Sequence, residues 1–418
     1  MELCVYGDTL NALVTAAAMA STGHTVRLRT CNPALSAQLQ EGITPFRELE
    51  LEQLLVEQLR AQRLLLEPQE ATERAQVVFY AFNEESFALA KEVTRHLQGN
   101  APFLIINQSA FPVGATEVLQ TINQGPVVAM PEFVQEGAAV SSFVRPNRLL
   151  LGCDDPKAEG LVREIFRPFN RQKDIFQVMK PREAEFTKLA ITGMLATRVS
   201  FMNDMAELAD ALNVDIEAVR QGVGADPRIG EAYLYPGCGF GGLGLSQNVA
   251  YLAGTLASKG VKSTLLEQVL DINERQKEVM FRKFWHHYNT KVADKTVALW
   301  GAAFKPGTAR IDNAPVLALI EALGAQGVRI KVHDPQALHM LQDHFSHSPY
   351  HIEYCQDMYQ AVEGTHGLIL VTEWKTYWSP DFSRLKQAMA TPLILDGRNI
   401  YDPTYVRELG FTYYGVGR

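Results

Sequence analysis

Leu3-Cys4-Val5-Tyr6-Gly7-Asp8-Thr9-Leu10-Asn11-Ala12-Leu13, at the head of the chain, decides the fold. Leu3–Tyr6 is an apolar run of strand length, and Gly7 interrupts it. Leu10, Leu13, Ala17 and Ala20 then follow a helical period until Gly23, and Thr25–Leu28 begins a second strand. Strand, tight turn, helix, strand is the start of a doubly wound parallel sheet, since parallel neighbours need a crossover and a helix usually supplies it. Further along, Val77–Phe82, Phe103–Asn107, Val127–Met130 and Arg148–Gly152 repeat the short-strand signal.

The pattern then changes. Ala184 to Leu212 holds an apolar 3.6-residue rhythm interrupted only by Gly193, which predicts one long helix. A glycine-rich loop is expected from Gly222 to Gly242, followed by two helical stretches to about Tyr288. After Lys295 the strand–turn–helix rhythm restarts with Val297–Trp300, Gly301, a helix over Pro315–Leu323 and a strand ending at Val332-His333-Asp334-Pro335. Leu368–Thr372 and Leu393–Leu395 complete that second sheet. The fold class is α/β: two Rossmann-like doubly wound parallel-sheet domains, 1–180 and 291–418, joined by a central helical region, 181–290.

Composition agrees with an ordinary globular protein. The 418 residues are 47% hydrophobic and 21% charged. The net charge of −8 gives no electrostatic footprint for nucleic acid. Cys4, Cys31, Cys153, Cys238 and Cys355 lie far apart with no metal-ligand spacing, so no metal is expected and the thiols point to a reducing compartment. No apolar run is long enough for a membrane span, and the N-terminus enters a strand at once, so neither a membrane nor a signal peptide is expected. The expected location is cytoplasmic.

Several segments are recognisable in order: Pro131-Glu132-Phe133-Val134-Gln135-Glu136-Gly137, Ala184-Glu185-Phe186-Thr187-Lys188, Asp226-Pro227-Arg228-Ile229-Gly230, Pro236-Gly237-Cys238-Gly239-Phe240-Gly241-Gly242, Ala303-Phe304-Lys305-Pro306-Gly307-Thr308, Thr372-Glu373-Trp374 and Asp396-Gly397-Arg398-Asn399-Ile400-Tyr401-Asp402-Pro403. Through them nearly the whole chain resembles the UDP-glucose/GDP-mannose dehydrogenase family. The resemblance implies an N-terminal NAD domain, a central helix that forms a homodimer, and a C-terminal domain for the nucleotide of a sugar donor. It also implies a chemistry in which a sugar C6 alcohol is oxidised twice with NAD. A cysteine thiolate captures the intermediate aldehyde, and water hydrolyses the thioester.

Each role can be checked against the residues. The family's nucleophile follows the double glycine in a run like Ser-Cys-Phe-Pro-Lys-Asp, whereas this chain reads Leu243-Gly244-Leu245-Ser246-Gln247-Asn248. Gly244 cannot form a covalent bond to substrate, Gln247 stands for the lysine, and Asn248 stands for the assisting aspartate. Lys188, which in the family stabilises an oxyanion, and Glu136, which activates water, are present. Both also have plain readings, as an exposed helix lysine and a local cap. Thr192, one helical turn after Lys188, replaces an asparagine, and Ala110 replaces the threonine that positions water. Cys238 reads as a plain loop thiol rather than a relocated nucleophile.

The cofactor loop departs from Gly-x-Gly-x-x-Gly, which lets backbone approach a diphosphate. Gly7 is kept, Thr9 stands at the second glycine, Ala12 at the third, and Asp8 adds charge. Thr30 occupies the place of the ribose-binding acid, and Glu84-Glu85 the place of a Thr-Pro contact. These features argue against NAD. Arg27 and Arg29 could favour NADP, but are read first as solvated side chains. On the donor side, the resemblance assigns substrate contacts to Glu132, Tyr233, Gly237, Gly241, Lys305 and Arg398, and a contact with a neighbouring subunit's site to Arg228. Beyond Thr308, Ala309-Arg310-Ile311-Asp312-Asn313 inverts the charges of the family's Asp-Asp-Ile-Arg-Glu.

The expected function is a catalytically impaired family member, a pseudoenzyme of polysaccharide precursor synthesis that keeps a nucleotide-sugar site and pairs with an active paralogue. The alternative is an active NAD(P)-dependent oxidoreductase, either a UDP-glucose 6-dehydrogenase or an enzyme performing one two-electron oxidation.

Overall fold

The computed structural model describes residues 1–46, 48, 50–68, 75–97, 104–170, 173–261 and 264–418. They form two compact units, Met1–Lys188 and Leu189–Arg418, with the division falling inside the long helix Pro181–Leu212.

The first unit is built on an eight-stranded sheet: β1 (Glu2–Tyr6), β2 (Thr25–Thr30), β3 (Leu64–Pro68), β4 (Val77–Tyr80), β5 (Leu104–Asn107), β6 (Val127–Ala129), β7 (Leu149–Gly152) and β8 (Phe176–Met179). Its order is β3-β2-β1-β4-β5-β6-β7-β8, and every pairing is parallel except β6 with β7. The reversal of order beside β1 is the topological switch of a doubly wound sheet. The helix Leu10–Ser21 is buried along nearly its whole length because small residues, Ala12, Ala16, Ala17, Ala18 and Ala20, let it lie close on the sheet. Residue Phe103 of the expected fourth strand lies outside the described residues.

The second unit carries a six-stranded parallel sheet: β9 (Thr296–Trp300), β10 (Arg329–His333), β11 (Ile352–Tyr354), β12 (Leu368–Leu370), β13 (Leu393–Asp396) and β14 (Thr412–Gly415), in the order β11-β10-β9-β12-β13-β14. Its core is shared with helical residues, since Met202, Ala206, Ile216, Leu234, Met280 and Phe284 join Val297, Leu299, Ile369 and Ile394 in one cluster.

Two local expectations change. Gly222 and Gly224 lie inside a helix, Ile216–Ala225, capped by Asp215, so the glycine-rich loop begins only after it. The region before Tyr288 holds three helices, Leu243–Ser258, Thr264–Lys277 and Val279–His287, rather than two. Among the described residues no helix is long and apolar enough to cross a membrane.

Candidate functional site

In the first unit, Thr9 caps the helix Leu10–Ser21. Its hydroxyl accepts from the Ala12 N–H at 3.2 Å and donates to the Ala81 carbonyl at 2.8 Å. A helix N-terminus after a strand is an anion site because its N–H groups lack partners. Here a side chain has taken one of them. Gly7, at φ +146°, must remain glycine, because a Cβ would lie 2.2 Å from the Ala81 oxygen. Buried Ala12 completes the close packing of the turn.

The surroundings are equally filled. The Thr30 hydroxyl accepts from the Asn32 N–H at 3.0 Å. Burial, and then the neighbouring Glu85 charge, push the Glu84 carboxyl up. Arg29 is buried and Arg27 half-buried, so neither is the freely solvated side chain expected. Arg29 is 1% exposed, donates to the Tyr6 hydroxyl at 2.6 Å and pairs with Glu67 at 2.9 Å. Arg27 bridges Glu2 and Glu67, both at 3.0 Å. Both guanidiniums are paired with carboxylates of the neighbouring strands, so neither is held out for a 2′-phosphate. The Thr9 side chain, with both hydrogen bonds made, and Asp8 stand in the turn where a Gly-x-Gly-x-x-Gly loop leaves bare backbone.

The segment after β6 carries the first unit's other candidates. Lys188 Nζ donates to the Glu132 backbone carbonyl, and it lies 4.4 Å from the Phe133 ring centroid. It is therefore a half-buried lysine fixed to this loop, not a free helix-surface one. The Glu132 carboxylate accepts from the Val134 N–H at 2.5 Å, which folds the loop on itself. Half-buried Glu136 lies just before Gly137. The Gly137 and Ala139 N–H groups donate to Glu48, at 2.7 and 3.2 Å, which caps the helix Ala139–Val144.

Two further positioning residues could not be read as such from sequence. Buried Glu185 accepts from the Gly114 N–H at 2.6 Å and the Thr116 N–H at 2.9 Å, fixing the Pro112-Val113-Gly114 turn. Ser109 accepts from the Phe82 N–H at 3.0 Å, which leaves its exposed neighbour Ala110 with only a methyl group to present.

In the second unit the glycine loop is held by amide side chains. Gly237 N–H donates to Asn203 at 2.9 Å, and Gln276 donates to the Gly237 carbonyl at 2.7 Å. Asn273 both accepts from Phe240 N–H, at 2.8 Å, and donates to its carbonyl, at 3.0 Å. A Cβ on Gly241 would lie 2.7 Å from the Asn313 carbonyl, and Gly242, at φ +83°, packs against the Phe304 ring. Arg398 donates to the Val371 carbonyl at 2.6 Å and the Gly239 carbonyl at 3.2 Å, and pairs with Glu373 at 3.2 Å. It thus braces the loop from inside. Asn203, Asn273 and Gln276 carry no motif signal, because their roles depend on helices packing against a loop up to 39 residues away.

Gly244 is the second residue of the helix Leu243–Ser258, and a Cβ there would meet nothing within 4 Å. Asn248 donates its amide to the Gly244 carbonyl at 2.7 Å, one turn back along that helix. Cys238 is buried, its thiol donates to the Val371 carbonyl at 3.6 Å, and burial pushes it up despite the Arg398 charge. Thr192 is buried, one turn after Lys188 on the long helix. Lys305 Nζ lies 5.5 Å from the Phe304 ring centroid. Arg310 pairs with Asp312 at 2.7 Å, so the inverted charges after Thr308 are satisfied within their own loop. Exposed Tyr233 adopts φ +60°, and exposed Arg228 pairs with Asp226 at 2.7 Å. Among the described residues no cluster of three or more His, Cys, Asp or Glu is arranged to hold a metal.

Known proteins match over the whole length. Residues 1–170 match the NAD binding domain, 182–275 the central domain and 298–403 the UDP binding domain of the UDP-glucose/GDP-mannose dehydrogenase family. A UDP-glucose 6-dehydrogenase of Pseudomonas aeruginosa is 39% identical, over 100% of this chain and 98% of that protein. One from Rhizobium meliloti is 29% identical, over 100% of both. Among solved structures, a UDP-glucose dehydrogenase from Pyrobaculum islandicum superposes with a TM-score of 0.88 at 27% identity, covering 100% of this chain and 97% of that one.

Proposed function

The chain belongs to the UDP-glucose/GDP-mannose dehydrogenase family, and from that membership we propose that it is a catalytically impaired member that retains nucleotide-sugar binding. The observation that carries the proposal is Gly244. Covalent capture of an aldehyde needs a side-chain nucleophile, and this position has none. Cys238 does not replace it, because a buried thiol pushed up by its surroundings supplies no thiolate near neutral pH. Asn248 spends its amide on the turn that carries Gly244. The self-capped Thr9 and the committed Arg27 and Arg29 extend the loss to the dinucleotide loop.

The donor side is the part we assign to ligand. Lys305 would bring positive charge near a diphosphate and Tyr233 an exposed ring for a base, while Gly237, Gly241 and Arg398 shape and brace the loop that would carry the ligand. The domain division 1–180, 181–290 and 291–418 goes with this assignment. A homodimer is supported by Met194, Phe201 and Leu208, spaced by seven residues on the long helix and 63%, 53% and 50% exposed. A polysaccharide-precursor role beside an active paralogue and a cytoplasmic location complete the reading, the latter supported by five cysteines none of which is in a disulfide among the described residues.

A second reading, an oxidoreductase carrying out one two-electron oxidation, is favoured by Lys188. That side chain is held in place by Glu132 and Phe133, as an oxyanion-stabilising lysine would need to be. Separate calorimetric titrations with UDP, UDP-glucose and NAD distinguish the two. Saturable binding of UDP-glucose with no heat from NAD is expected. Tight NAD binding would favour the second reading, and no binding of either UDP ligand would refute retained nucleotide-sugar binding.

A further inference from the structure

The first unit contains a cavity of about 540 Å³ whose lining includes, of the residues assigned a role above, only the Glu132–Phe133 segment that holds Lys188. It lies between Met130–Gln135, which leaves β6, and Arg145–Leu149, which leads into β7. Its base is apolar: Met130, Phe143 and Phe166 are 2%, 7% and 1% exposed, and the two phenyl rings are 6.1 Å apart at 44°. Arg145 and Arg148 line its rim, both exposed. Among the described residues neither guanidinium has a hydrogen bond or ion pair. The carboxylate on the rim, Glu132, is turned to the Val134 N–H of its own loop.

This combination differs from an ordinary surface dent. Small-molecule sites are concave, mostly apolar and carry a few convergent polar groups, with volumes of roughly 300–1,000 Å³. Guanidinium groups favour planar oxyanions, which they bind through paired N–H donors. A ring seated on Phe143 would gain stacking contact, while the same molecule's anionic group meets Arg145 and Arg148.

We propose that this pocket binds a small organic anion, a planar apolar body bearing a carboxylate or phosphate. The occupant acts on the segment that anchors Lys188, because Glu132 lines the cavity while its carbonyl holds Lys188 Nζ. The proposal does not depend on whether the chain catalyses a reaction, since it uses neither Gly244 nor the Thr9 loop.

The test is titration of the full chain with phenyl phosphate and with benzoate, using benzyl alcohol and inorganic phosphate as controls. One of the aromatic anions is expected to bind about tenfold or more tightly than either control, the stronger one identifying phosphate or carboxylate as the preferred group. The double variant R145Q/R148Q should weaken that binding about tenfold, with melting temperature and UDP binding unchanged. Three results would overturn the proposal: aromatic anions no better than the controls, undiminished binding by the double variant, or displacement of the probe by UDP-glucose. The last would make the cavity part of the nucleotide-sugar site.

Discussion

Replacing Thr9 separates two consequences of one hydroxyl. In the folded chain it accepts from Ala12 N–H and donates to the Ala81 carbonyl. Losing a threonine cap to alanine costs about 1 kcal/mol, and leaving the oxygen of buried Ala81 without this donor costs about 1 kcal/mol more. Thr9→Ala should therefore destabilise the first unit by about 2 kcal/mol, a factor of about 30 in its folding constant. A dinucleotide entering the wild-type loop must break the same two bonds. Thr9→Gly, which removes the side chain while glycine still serves as a cap, should bind NAD up to about 30-fold more tightly than wild type. Urea unfolding followed by a probe in the first unit reads the stability, and calorimetry reads the binding. Equal NAD affinity in wild type and Thr9→Gly would refute the reasoning, as would a Thr9→Ala chain of wild-type stability.

Gly244→Cys has open space and sits in the first turn of a helix, so stability should change by less than about 0.5 kcal/mol. Its new thiol should react with a disulfide reagent faster than Cys31, because a helix N-terminus favours the thiolate; a slower reaction would contradict the placement. In the native chain exposed Cys31 should be labelled promptly and Cys238 only on unfolding, as peptide mapping would report. His333 is held below its usual value by burial, despite Asp334 and Asp357, and pairs with the Tyr377 hydroxyl at 2.7 Å. The unfolded chain therefore binds this proton first. Stability from His333 is complete above about pH 6.5 and lost as the pH falls from there through the lower folded value. Unfolding midpoints of His333→Gln measured across that window should be flatter with pH than those of wild type.

Much of the architecture could be read from local signals because its turns are chemically demanding. Gly7 ends β1 where no Cβ fits, and the alanine-rich helix after it suits close packing on a sheet. Other strands carry little local signal: β3 and β8 have mixed burial and no clean alternation, and β11 is a short edge strand. Gly222 and Gly224 suggested a loop because glycine lowers helix propensity, yet the Asp215 cap and burial of Ile216 keep that segment helical. The pairing of the β2 arginines has no local signal either. Glu67 lies opposite Arg29 on the neighbouring strand, a pairing set by register 38 residues away. At the site, the missing side chain at Gly244 was plain from sequence. The closure of the Thr9 cap required the Ala81 carbonyl, which only the fold brings to it.

The most direct measurement is turnover of UDP-glucose by the purified full-length chain with excess NAD, following NADH and the oxidation state of the sugar C6. A chain with no nucleophile at Gly244 and a self-capped cofactor loop is expected to yield no sugar 6-carboxylate and no NADH above background. Two equivalents of NADH for each UDP-glucose, with a 6-carboxylate product, would contradict the account.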